Sequence, residues 1–102
     1  MKINNLNWTV CLAYLEDGTM GLTTYSNQTI QIQCGMIEEC IRLTLMHEIV
    51  HAYLYSYGFN QNQREFHKEE LCEFIAQNVD NLIKLRDIAM IELNKSRKYV
   101  KV

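Results

Sequence analysis

Leu45-Met46-His47-Glu48-Ile49-Val50-His51-Ala52 is the stretch from which the rest of the chain is read. It lies in a segment, Ile37 to about Tyr57, that holds neither Gly nor Pro, and Glu38 and Glu39 sit where the first-turn dipole favours anions. Gly58 is placed to end the helix. On that helix His47 and His51 leave one face a turn apart. Two imidazoles so spaced can share one tetrahedral zinc ion, with Glu48 alongside to take a proton from water. The helix is apolar nearly all round: Leu43, Val50 and Leu54 flank the histidines, and Met46, Ile49 and Tyr53 face elsewhere. It is therefore expected to be central, with its histidines buried or lining a cleft.

Working towards the N-terminus, the chain reads as β. Leu6 to Leu15 is expected to be a strand, Glu16-Asp17-Gly18-Thr19 a turn, and Met20 to Tyr25 a second strand. Thr29 to Gln33 makes a third, with Ile30 and Ile32 on a covered face and Thr29, Gln31 and Gln33 on a wet one. The simplest topology is a three-stranded antiparallel meander. Working towards the C-terminus, Phe59 to Gln63 is a polar connection, and a second helix is expected from about Arg64 to Asn94 or beyond. Leu71, Ile75, Val79 and Leu82, with Cys72, Ala76 and Ile83 to one side, form its apolar stripe. The fold class is α+β: a three-stranded antiparallel sheet followed by two long antiparallel helices.

At 102 residues the chain forms a single domain, residues 1–102. With 48% hydrophobic and 22% charged residues it has the composition of a globular protein rather than a disordered one. A net charge of −2 gives no reason to expect nucleic acid as a partner. The basic end, Lys95, Arg97, Lys98 and Lys101, is read as a solvated helix terminus. No stretch resembles a signal peptide or a membrane span, so a cytoplasmic location is expected. Cys11, Cys34, Cys40 and Cys72 lack the paired spacing of zinc ribbons or redox motifs and are expected to be reduced and buried.

A zinc ion needs a third protein ligand. His51 is six residues before Tyr57 and Glu69 six after Gln63, so each lies ~9 Å along its helix from the turn. In an antiparallel hairpin such positions are neighbours. Glu69 falls at the edge of the apolar stripe, whereas Glu70 points away from it. Glu73, one turn on, suits the role of accepting the proton on a ligating imidazole. His67 is the main rival as ligand, with Glu70, Glu73 and Cys72 behind it.

These residues carry a resemblance. His47-Glu48-Ile49-Val50-His51 followed by Glu69 to Ala76 resembles the gluzincin-type zinc metallopeptidases, most of all the small ImmA/IrrE-like enzymes of phages and mobile elements. In that group the zinc helix precedes a helix reading Glu-x-x-Ala-Asn-x-Phe-Ala, onto which Cys72 falls at the Ala, Glu73 at the Asn and Ile75 at the Phe. Thermolysin-like enzymes use a comparable Glu with an acid four residues later. Gly21 and the strand from Gln28 to Ile32 look like the strand layer before the zinc helix, whose last strand lines the cleft and pairs with extended substrate. The interval from His51 to Glu69 is shorter here than in many relatives, and Glu73 replaces the Asn.

The resemblance implies a zincin-like minimal domain that hydrolyses peptide bonds. Its zinc would be held by His47, His51 and Glu69, with Glu48 as general base and Glu73 in support. It implies a peptide or protein substrate, such as one specific regulator. Tyr25, Tyr53, Tyr55 and Tyr57 are candidates to stabilise the oxyanion. Two other readings stand beside it: a zincin-shaped module that keeps the metal without turnover, and a pair of core histidines with no metal at all.

Overall fold

The computed structural model describes residues 1–59 and 68–97, with side chains described for 1–59 and 70–95. In chain order the elements are β1 (Lys2–Ile3), β2 (Leu6–Asn7), β3 (Thr9–Ala13), β4 (Gly21–Thr24), β5 (Thr29–Gln33), α1 (Glu38–Ser56) and α2 (Lys68–Arg97). The class is α+β, as expected. The strand at Thr29–Gln33 has the expected bounds and alternation: Ile30 and Ile32 are fully buried, and the residues between them are half-buried.

The first expected strand divides in two. Asn4 and Asn5 take φ +45 and +68, which closes β1 onto antiparallel β2 through a two-residue turn of the kind that matches strand twist. Trp8 extends the pairing through its backbone, its N–H donating to Met1 O at 2.7 Å and the Met1 amino group to Trp8 O at 3.0 Å, while its side chain turns inward. Its indole is 2% exposed and donates from Nε1 to Ser56 Oγ at 3.0 Å, and Ser56 Oγ donates to Ala52 O at 2.7 Å. A buried indole N–H needs such a partner, and the end of α1 supplies it.

The second sheet is not an antiparallel meander. Its order is β3-β5-β4: β5 is central, antiparallel to β4 and parallel to β3, with Val10 opposite Ile30 and Leu12 opposite Ile32. Parallel neighbours need a crossover of a dozen residues or more, and residues 14–28, which include β4, provide it. The Asp17-Gly18 turn is real (Gly18 φ +84, Thr19 N–H to Glu16 O at 2.9 Å), but it bends the connection instead of closing a hairpin between neighbours. Cys34 N–H to Ala13 O (2.9 Å) and Leu15 N–H to Gln33 Oε1 (2.6 Å) tie the ends of the parallel pair.

One face of this sheet is covered by both helices, α1 lying on β4 and β5 and α2 on β3 and α1. Ile41, Leu45, Ile49 and Ala52 are the core face of α1, and Leu82, Ala89 and Leu93 that of α2. Complete burial of such side chains stabilises by about 1.5–3 kcal/mol each. The helix α1 is central but not packed all round, since Leu43 stays 74% exposed. It begins one residue after the expected Ile37, and it ends as expected: Gly58 has φ +86, Gly58 N–H reaches Tyr55 O and Phe59 N–H reaches Leu54 O.

Half of the stripe expected on α2 is turned outward. Val79 and Ile83 are exposed, as are Cys72 and Ala76, and the line that packs runs through Ile75, Asn78, Leu82, Leu85, Ala89 and Leu93. Asn78 explains the rotation. It accepts from Tyr53 Oη at 2.7 Å and donates to Phe74 O at 2.8 Å, so a polar residue occupies the buried line without an unmet bond. All four cysteines are free, but only Cys34 is buried; Cys11 and Cys40 are half-buried and Cys72 is exposed. Burial pushes the Cys11 thiol above its usual value, with Cys34 nearby adding to it. Among the described residues no helix is long and apolar enough to cross a membrane.

Candidate metal centre

The helix α1 does what the four-residue spacing promised. His47 Nε2 and His51 Nε2 face each other at 3.2 Å, their ring centroids 4.9 Å apart. A tetrahedral ion with zinc–nitrogen bonds of ~2.0–2.1 Å holds two nitrogens about 3.3 Å apart, so the donors fit one ion. A direct hydrogen bond would serve only one ring's lone pair, whereas a metal uses both. His47, Glu48 and His51 bring their candidate ligand atoms within 4.8 Å of one another, the one such group among the described residues.

Glu48 differs from the histidines in its surroundings. It is 7% exposed, on the side of α1 that meets β4. Thr23 Oγ1 lies 2.9 Å from Glu48 Oε1 and 3.3 Å from Glu48 O, so the hydroxyl's single proton goes to the nearer carboxylate oxygen. The other oxygen, Oε2, is 3.8 Å from His47 Nε2. Gly21, two residues before Thr23 and so on the same face of β4, lets helix and strand approach. A Cβ there would stand 2.7 Å from Thr44 Cγ2 and 2.9 Å from Glu48 Cγ.

A cleft of about 500 Å³ opens over these groups, with Met20, Gly21, Leu43 and Thr44 joining His47 and Glu48 in its lining. The His47 side chain is 70% exposed and that of Glu48 10%, so a solvent-facing imidazole and a shielded carboxylate share one opening. The strand beside the cleft is β4, an edge of its sheet; β5, the last strand, is central with both sides paired and cannot take an extended peptide.

The remaining expected residues divide. Glu69 belongs to the first turn of α2 and its side chain lies outside the described residues, as does all of His67. The helix pairing differs from the equal-distance expectation: Tyr53 meets Asn78, and Tyr57 and Phe59 meet Phe74. Glu70 and Cys72 are exposed, and so is Glu73, whose carboxylate accepts from Gln77 Nε2 at 3.3 Å. Among the described residues no tyrosine lines the cleft. Tyr25 stacks on Tyr55 at 4.7 Å, and Tyr53 packs against Tyr57 and Phe74, so all four candidates for the oxyanion are packing residues. Burial and a hydrogen bond with Tyr57 push the Tyr53 phenol above its usual value, and one with Asn81 opposes them.

Thr23 and Thr44 went unseen in the sequence. The one available signal was the period-two placement of Gly21 and Thr23, small residues on one face of a strand beside a helix. Compared with protein-family models, with curated proteins and with solved structures, the chain matches none.

Proposed function

We propose that the chain is a small zinc-dependent peptidase of zincin-like type. The observation that carries this is the pair of imidazole nitrogens 3.2 Å apart beside a shielded carboxylate, with His47 and Glu48 lining one open cleft. His47 and His51 would hold the ion, with Glu69 as the proposed third ligand; Glu73, exposed and bonded to Gln77, is left out of the site. Zinc so held supplies Lewis acidity and brings the pKa of water down to about 7.

Glu48 takes the proton of the attacking water at Oε2 and returns it to the leaving amine. The free edge of β4 is suited to hold the substrate extended, by backbone hydrogen bonds, across the two histidines. The substrate is a peptide or a protein, with one specific regulator as the form the resemblance favours.

Metal analysis combined with cleavage of a fluorogenic peptide pool tests this. One zinc per chain is expected, lost in His47→Ala and in His51→Ala, weakened in Glu69→Gln, and retained in Glu48→Gln with cleavage abolished. One observation favours a second reading, a metal-binding module without turnover: the Glu48 carboxylate lies within the same 4.8 Å group as both imidazoles and could itself be a ligand. In that case Glu48→Gln loses the metal, and no peptide is cleaved.

A further inference from the structure

Glu48 has two carboxylate oxygens, and a general base is effective only if the right one faces the reacting water. On a glutamate the terminal torsion is soft and roughly two-fold, so burial alone does not decide which oxygen points where. Here something else decides. The hydroxyl of Thr23 reaches from β4 and donates to Oε1 at 2.9 Å, leaving Oε2 on the side of His47. A hydroxyl bonded to Oε1 draws on its lone pairs, so the incoming proton goes to Oε2.

We propose that Thr23 is a positioning residue for Glu48: its hydroxyl fixes the carboxylate so that Oε2 alone faces the cleft. This rests on the peptidase reading of the site. Two features of the surroundings reinforce the assignment. Thr23 and Gly21 share the face of β4 that meets α1, and the missing side chain at Gly21 brings the strand close enough for the short threonine side chain to reach. The edge position of β4 also puts the latch where an extended peptide would lie, so that the strand receiving the substrate would carry the group that aims the base.

The test compares Thr23→Val, which keeps the shape and removes the hydroxyl, with Thr23→Ser, which keeps the hydroxyl. With zinc bound and a cleaved fluorogenic peptide as probe, Thr23→Val is expected to lower kcat by about 10- to 100-fold, with KM and zinc content unchanged. Thr23→Ser should restore most of kcat. The metal-free protein gives a second readout: Thr23→Val lowers the urea midpoint in the wild-type background and leaves it unchanged in a Glu48→Ala background. Wild-type kcat in Thr23→Val, an equal loss in both variants, or strictly additive midpoint shifts would overturn the assignment. A wild-type protein that cleaves nothing with zinc bound overturns the peptidase reading, and the role of Thr23 falls with it. An active wild type with an equally active Thr23→Val removes only the role of Thr23.

Discussion

Gly21→Ala is the substitution that most directly probes how the strand and the metal helix are held together. The added methyl would meet Thr44 Cγ2 at 2.7 Å, Glu48 Cγ at 2.9 Å and Glu48 Cδ at 3.2 Å. Carbon atoms rest at ~3.5–4.0 Å, so β4 and α1 must separate by at least about 0.8 Å, or Thr44 and Glu48 must move. Neither has an easy escape, since Thr44 is 9% and Glu48 7% exposed. Overpacking of this kind costs about 1–3 kcal/mol. For a domain of this size each kcal/mol lowers Tm by roughly 4–8 °C, giving a fall of ~5–20 °C. On the proposed peptidase reading, a displacement near 1 Å at Glu48 would also lower turnover about 100-fold. The imidazoles of His47 and His51 lie outside this contact and should keep their 3.2 Å spacing. Thermal unfolding of four proteins reads it out: wild type, Gly21→Ala, Thr44→Ser and the double variant. Because Thr44→Ser deletes the methyl of the shortest contact, Gly21→Ala should cost less in that background. A Gly21→Ala protein that melts with the wild type, or one whose loss is the same in both backgrounds, would refute the close-packing account.

The same structure sets two further expectations. Tyr53 is 2% exposed and its phenol is held above the usual value, so the folded state favours the protonated form. The stability this gives is complete below the unfolded pKa of about 10 and is lost as pH rises towards the higher folded value. Denaturant midpoints measured on both sides of that pH should fall for the wild type and flatten for Tyr53→Phe, which also loses about 1 kcal/mol from the bond to Asn78; an equal alkaline fall in both would exclude Tyr53 as its source. Gly58→Ala should cost about 1 kcal/mol by calorimetry, because φ is +86 and nothing lies within 4 Å of the added methyl, leaving backbone strain as the whole effect. Gly58→Asn should cost less, and equal losses would point to a contact instead.

What a sequence shows of a fold depends on how local the cause is. The alternation of β5, the length of α1 and its Gly58 cap are each settled within a few residues, and each is observed close to where the pattern puts it. Strand order is settled elsewhere. Alternation says which side chains of Gly21–Thr24 and Thr29–Gln33 share a face but not which strand is in the middle, and the parallel pairing of Thr9–Ala13 with Thr29–Gln33 spans twenty positions. The two-residue strands β1 and β2 are too short to show a period, and their turn uses Asn4 and Asn5 with no glycine to mark it. On α2 the pattern took Val79 and Ile83 for core because they are apolar. A half-buried asparagine held by Tyr53 takes their place on the packed line, and periodicity has no means of registering a satisfied polar group.

The same distinction runs through the candidate site. His47 and His51 were legible because helix geometry alone brings positions four apart together. Thr23 was not, because its place beside Glu48 depends on α1 packing over β4, a contact between distant segments. In an antiparallel meander Gly21–Thr24 would be the middle strand and Thr29–Gln33 an edge. The residues that such an edge turns to α1 would be Ile30 and Ile32, neither of which carries a polar group. Central placement of β5, whose Ile30 and Ile32 are wholly buried, moves that edge to β4 and brings Gly21 and Thr23 against Glu48. The strand order and the hydroxyl beside Glu48 were hidden for one reason: both are set by contacts between distant segments, Thr23 and Glu48 being 25 positions apart.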